Sequence, residues 1–259
     1  MGNVIAFHGS DRKSGVSMTA LSVSEELGRM HPDKTVLYLC LNCRCSADYF
    51  EGEVWFIQDM NLQVISRTLT VDEIKTRCRY EDNLYVLRGI RNPVDGREFI
   101  PDCAEYVLNL VKDEFDFIVC DTGSDLDDGL AMGALQRNCV RYMIISQSES
   151  GIRAYEKMGW LYKELDLTFD RIIINRYFPT DPYDVTYIAE RLYRTKDMFH
   201  VVRTAGYCRQ AEMEHKSLLR YRNDNYRTDI HELAEYISIQ AGYKDSLERK
   251  RRLWRIGSI

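Results

Sequence analysis

The chain has 259 residues, 45% of them hydrophobic, which is enough apolar material for one sizeable α/β core. Only 5 Pro and 15 Gly occur, so collagen-like structure and long disorder are excluded. With 40 acidic against 35 basic residues the formal charge is −5, and bulk charge excludes a general nucleic-acid binder.

The N-terminal MGNVIAFHGS has no basic region ahead of a long apolar stretch, so it reads as an immediate strand rather than a signal peptide. No apolar run approaches the ~20 residues of a membrane span, and a cytoplasmic protein is expected. Short β-branched runs then alternate with helical patterns. Strands are predicted at Val4–Phe7, Thr35–Leu41, Leu84–Leu87, Phe115–Cys120, Arg141–Ser146, Arg171–Ile174 and Phe199–Val202. Several are apolar at every position, as strands buried between two helical layers are. Helices are predicted at Ser17–Met30, Ala104–Val111, Gly129–Asn138, Ile152–Leu165, Tyr187–Tyr193 and Ile230–Ala241. The alternation predicts an α/β fold: a doubly wound, mainly parallel sheet of about seven strands with helices on both faces. No repeat and no Pro or Gly/Ser linker divides the chain. One domain over residues 1–242 and a basic tail over 243–259 follow.

Of the eight Cys only Cys40 and Cys43 stand in C-x-x-C spacing, and with Cys45 they lack a fourth ligand and a second knuckle nearby, so they read as reduced core thiols rather than a zinc site. Asp125, Asp127 and Asp128 read as a solvated loop with a helix cap. The five His are scattered, and no G-x-S-x-G elbow is present.

In a doubly wound sheet ligands sit outside the carboxyl ends of the strands. The loop after the first strand runs His8 to Thr19, where a helix N-terminus favours anions. Placed on G-x-x-x-x-G-K-[ST] so that Thr19 takes the last position, Arg12, Ser17 and Met18 stand where the two glycines and the lysine belong. On those residues alone it equally reads as a tight turn with Ser17 as helix cap.

The segment Lys13-Ser14-Gly15-Val16-Ser17-Met18-Thr19 resembles the deviant loop of the MinD/ParA family, K-G-G-V-G-K-[ST]. Four further segments are similar in the same order. Lys34 to Asn42 resembles K-x-V-L-L-I-D-x-D, with Cys40 and Asn42 in place of two acids. Asn83 to Gly89 resembles N-L-x-V-L-P-G. Phe115 to Gly123 resembles the segment ending in D-[ST]-[PG], and keeps Asp121. Arg171 to Tyr177 resembles h-h-h-N-[RK]-[YF], with Asn175 and Arg176. The resemblance runs from Val4 to about Ile237.

It implies a P-loop NTPase-like fold binding ATP and Mg2+, and a homodimer formed when nucleotide is bound. It implies that Lys13 reaches the partner's phosphates, that Ser14, Gly15, Val16, Ser17, Met18 and Thr19 line the phosphates, and that Thr19 and Asp121 hold magnesium. It places Lys13, Asn42 and Asp121 in catalysis and Asn175 with Arg176 at the base, although Asn175 equally reads as a turn residue before Pro179. Met18 for lysine forfeits a charged hydrogen bond, about 1.5–3 kcal/mol or roughly 10- to 150-fold in affinity. Uncharged Cys40 and Asn42 cannot draw in magnesium, while Arg12 offers a guanidinium in partial compensation. The implied nucleotide site is weak and its hydrolysis slow or absent. Among relatives the TadZ/CpaE proteins of Flp (Tad) pilus assembly carry such eroded loops, and with the first strand beginning near Val4 their usual N-terminal receiver-like domain is not expected here. An ATPase positioning another cargo and a nucleotide-free scaffold stand beside that reading. The partner is then an unknown cargo or secretion-machine protein. Lys244 to Ile256 carries six basic and two acidic residues beside Leu253, Trp254 and Ile256. That composition suits peripheral contact with an anionic membrane, or equally a solvated or partner-docking tail.

Overall fold

The computed structural model describes residues 3–43, 49–50, 52–137 and 139–243. Cys45, Asn138 and the basic tail lie outside the described residues.

Seven strands form one sheet: β1 (Val4–Gly9), β2 (Val36–Cys40), β3 (Leu84–Leu87), β4 (Phe117–Asp121), β5 (Val140–Ser146), β6 (Arg171–Tyr177) and β7 (Phe199–Arg203). Their order is β3-β2-β4-β1-β5-β6-β7, and every pairing is parallel. The predicted mainly parallel, seven-stranded architecture is therefore present. Nine helices accompany it among the described residues: α1 (Val16–Met30), α2 (Asn61–Ile65), α3 (Val71–Arg77), α4 (Pro101–Val111), α5 (Gly129–Leu135), α6 (Glu149–Glu164), α7 (Val185–Arg191), α8 (Cys208–Met213) and α9 (Asp224–Gln240).

The two-residue period of each strand sorts its side chains into two cores. Val4, Ala6, Ile118 and Cys120 join the core shared with α2 to α7. Ile5, Phe7, Phe117 and Val119 join the core shared with α1, α8 and α9. Both faces are covered, which explains why these strands read as continuous apolar runs.

Differences from the predicted elements lie at ends and in small helices. The first helix begins at Val16, not Ser17. Gly15 is its N-cap at φ 97°, a conformation that suits glycine, so Ser17 is not the cap. Two short helices, α2 and α3, occupy the stretch between β2 and β3, where no helix was predicted. The second is set by a capping box in which Thr70 and Glu73 bond reciprocally. The last helix starts six residues earlier than predicted, at Asp224.

Candidate functional site

Strands β1 and β4 pair with Phe7 opposite Asp121, and their outgoing chains run to opposite sides of the sheet. The crevice at that switch point is where an open α/β sheet receives a ligand. The loop after β1 is held there by three neighbours. The Gly9 N–H donates to the Gly123 carbonyl at 2.8 Å, the Ser10 N–H to the Ile144 carbonyl at 2.9 Å, and Asn175 Nδ2 to the Ser14 carbonyl at 2.7 Å. Two glycines permit this packing. A Cβ on Gly9 would stand 2.4 Å from Ser14 Oγ, and one on Gly15 would stand 2.1 Å from Asn175 Nδ2. Lys13 is exposed, with φ 63°.

Asp121 is fully buried at the end of β4. Its carboxylate accepts from the Tyr38 hydroxyl at 3.0 Å and from the Gly123 N–H at 3.0 Å, and the Ser17 hydroxyl lies close enough to favour its charged form. Burial raises its pKa, and these three donors counter the rise. The hydroxyl that meets Asp121 is that of Ser17, in the first turn of α1. Thr19, expected to share a metal with Asp121, lies two residues on and is buried beside the cavity of Met18 and Leu218. A helix turns 100° per residue, so hydroxyls two apart leave in opposing directions.

The remaining expected residues are placed as follows. Met18 is buried among apolar side chains, and its sulfur accepts the Leu218 N–H at 3.4 Å. Asn42 donates to Cys40 Sγ at 3.2 Å and to the Asp121 carbonyl at 3.3 Å. Asn175 is spent on the loop, because its Nδ2 holds Ser14 and its Oδ1 accepts the Arg176 N–H at 2.9 Å. The expected contact of this amide with a base edge is not the bond the structure makes. Arg176 is exposed at φ 56°. Arg12 reaches Asp125 at 3.8 Å. Asp128 caps α5, accepting from the Leu130 and Ala131 N–H groups. A cavity of about 80 Å³ adjoins the loop, lined by Gly15, Met18, Thr19, Asn175, Tyr49 and Cys208 among others.

Tyr38 and His8 escaped the sequence reading. Tyr38 alternates with apolar neighbours in β2, and only the bond of its hydroxyl to Asp121 reveals its role. His8 is fully buried, with Nδ1 3.0 Å from the Thr122 hydroxyl and Nε2 without a partner. Burial lowers its pKa to about 4.

Orphaned polar atoms gather at the same loop. Ser10 Oγ, Asp11 Oδ1 and Ser14 Oγ are buried without partners. Buried hydroxyls ordinarily find partners, so the loop presents unused hydrogen-bonding capacity at the first turn of a helix. Its shape suits a phosphate and its Ser17–Asp121 pair suits a magnesium ion, and its one lysine, Lys13, is exposed.

The backbone resembles solved structures over nearly its whole length. A ParA family ATPase from Chlorobium tepidum TLS superposes with a TM-score of 0.78 at 16% identity, covering 90% of this chain and 99% of that one. The fold is that of the ParA and MinD ATPases. The cell division ATPase MinD of Pyrococcus furiosus gives 0.70 at 18% identity, covering 93% and 100% of the two chains. The septum site-determining protein MinD of Pyrococcus horikoshii OT3, complexed with Mg-ADP, gives 0.67 at 19%, covering 93% and 98%. No family model and no curated protein matches the sequence. The ParA/MinD fold places the loop after β1 and the end of β4 together at the sheet's carboxyl edge.

Proposed function

We propose that this chain is a ParA/MinD-type spatial organiser that binds Mg-ATP weakly and hydrolyses it slowly or not at all. The observation that carries the reading is a loop held in shape, with an uncharged residue where the phosphate-gripping lysine belongs. Gly15, Ser14 and Asn175 hold the loop, and Ser17 remains on Asp121. The loop's one lysine, Lys13, is exposed, and Cys40 at the end of β2 and Asn42 just past it carry no carboxylate. Bound magnesium would supply neutralisation of phosphate charge. Of the chain's own groups, the loop N–H donors would hold phosphate oxygens, and Ser17 with Asp121 would hold the ion. With Cys40 and Asn42 in place of two acids, the site lacks those carboxylates for drawing in magnesium and an attacking water, so turnover is lost before binding is.

In this reading the protein works as a nucleotide-biased homodimer at a cytoplasmic membrane face, organising a cargo or secretion machine such as Flp/Tad pilus assembly. The basic tail contributes the membrane contact. The eroded loop supports the pilus assignment over an actively cycling ATPase. Calorimetry with Mg-ATP, phosphate release and size measurement test it together. Millimolar affinity without turnover, and a shift towards dimer with ATP, are expected. Turnover at ordinary ATPase rates would replace the reading with an active positioning ATPase. A nucleotide-free scaffold has its own support in the 80 Å³ cavity, well below the ~300 Å³ of common ligand pockets. Absence of any heat at millimolar Mg-ATP would establish it.

A further inference from the structure

The motif's register is fixed by structure rather than by its lysines. In G-x-x-x-x-G-K-[ST] the last hydroxyl belongs beside the metal and the lysine precedes it. The hydroxyl on Asp121 is Ser17. Gly15 is the glycine at the helix N-cap, with its left-handed backbone. The loop therefore reads Ser10 at the first glycine, Gly15 at the second, Val16 at the lysine and Ser17 at the hydroxyl. This register keeps two of the last three positions, and it lies two residues from the one that Lys13 and Thr19 suggest.

Val16 sits in the first turn of α1 and is 7% exposed. Its Cγ2 stands 2.8 Å from where a Gly9 Cβ would be, so the side chain folds back over the start of the loop. The deviant pattern's early lysine falls on Asp11 in this register. One of its carboxylate oxygens is buried in the loop without a partner. Lys13 then takes a glycine position, which accounts for its φ of 63°.

We propose that Val16 and Asp11 occupy the two cationic positions of the phosphate loop and set this chain's low affinity for nucleotide phosphates. Val16 fills the lysine's path with an apolar plug, and Asp11 adds repulsion. Met18, inside the apolar cluster with Leu218, has no part in phosphate contact. The inference rests on the proposed nucleotide reading and names the residues that weaken it.

Calorimetry with Mg-ATP on the full chain tests it, using wild type, Val16→Lys, Asp11→Asn and Met18→Lys, each checked by thermal melting without ligand. Val16→Lys should bind about 10- to 150-fold tighter than wild type, the worth of one charged hydrogen bond. Asp11→Asn should bind about fivefold tighter through lost repulsion. Met18→Lys should not tighten binding. Tightening by Met18→Lys without tightening by Val16→Lys would restore the other register and overturn the proposal. Should Val16→Lys fail to fold, Asp11→Asn decides: unchanged affinity refutes the proposal. Wild type that binds while neither Val16→Lys nor Asp11→Asn improves refutes it and leaves the nucleotide reading standing. Silent wild type with binding gained in Val16→Lys refutes the nucleotide reading and supports the register. Silence in all four overturns both.

Discussion

Substituting Gly15 by alanine should cost stability in two separable ways. The residue has φ 97°, where an L side chain costs about 1–2 kcal/mol. The new Cβ would also stand 2.1 Å from Asn175 Nδ2, so the amide must leave the Ser14 carbonyl it holds at 2.7 Å. Losing that bond and orphaning a buried carbonyl costs about 1–3 kcal/mol. Gly15→Ala should therefore lose about 2–5 kcal/mol in total. In an Asn175→Ala background the clash is gone and the bond is already lost, so the same change should cost about 1–2 kcal/mol. The cycle predicts a coupling of about 1–3 kcal/mol between the two sites. Urea unfolding of wild type, both single variants and the double variant measures it, provided the slopes agree. Equal costs of Gly15→Ala in both backgrounds would mean that Asn175 does not brace the loop, and the geometry of the site would be wrong.

Three further outcomes follow. His8 is held neutral, with a pKa near 4 against an unfolded 6.5, so the unfolded chain takes up the proton first and stability falls as pH drops from 6.5 towards 4. The loss is about 3 kcal/mol. His8→Phe, which keeps a ring beside Tyr162 and Phe169, should flatten that limb in urea melts at pH 7 and 5, and an unchanged slope would contradict it. Glu25 is pushed up to about 7 by burial, despite Ser217 and Arg220 beside it and with Glu81 adding to the rise, so its penalty appears as pH climbs from 4.5 to 7. Glu25→Gln should gain on wild type by about 3 kcal/mol between pH 5 and 8, and a constant difference would refute the burial argument. Deleting the residues after Gly242 should lower co-sedimentation with anionic liposomes, and unchanged sedimentation would remove the membrane role of the tail.

The sheet was legible because each strand is apolar on both faces and bounded by helical spacing. Parallel pairing follows from that alternation. The missed helices α2 and α8 are the reverse case: the first buries Val64 and the second Ala211, too few residues for a period to register. The loop was legible as a place, whereas the register proposed above was not. Lys13 matched the family's early lysine only as an exposed side chain, and Thr19 matched by spacing. The contacts that set the frame join residues far apart in sequence. Asn175 reaches Ser14 across 161 residues, and Ser17 reaches Asp121 across the β1–β4 seam. No local pattern encodes either. Tyr38 was hidden for the same reason, since a tyrosine in a buried strand is ordinary until its hydroxyl is found on a carboxylate.

A phosphate loop in a working NTPase is shaped for its ligand, so loss of its lysine would be expected to loosen the loop as well. Here the bracing comes from within the chain. Gly123, Ile144 and Asn175 hold the loop from three different segments of the sheet's carboxyl edge, and none of these bonds involves a charged group of the loop. In the proposed register the cationic positions are therefore lost without loss of shape. The same bracing ties the loop to the ends of β4, β5 and β6, so the whole edge is preorganised before any ligand arrives. A ligand that finds its cradle already formed has little conformational work left to drive, because binding shifts an equilibrium only by its differential affinity for two states. Turnover-driven cycling needs two such states. A face fixed in advance is better suited to holding a partner in place than to releasing it on hydrolysis, and this favours the organiser reading over an active ATPase.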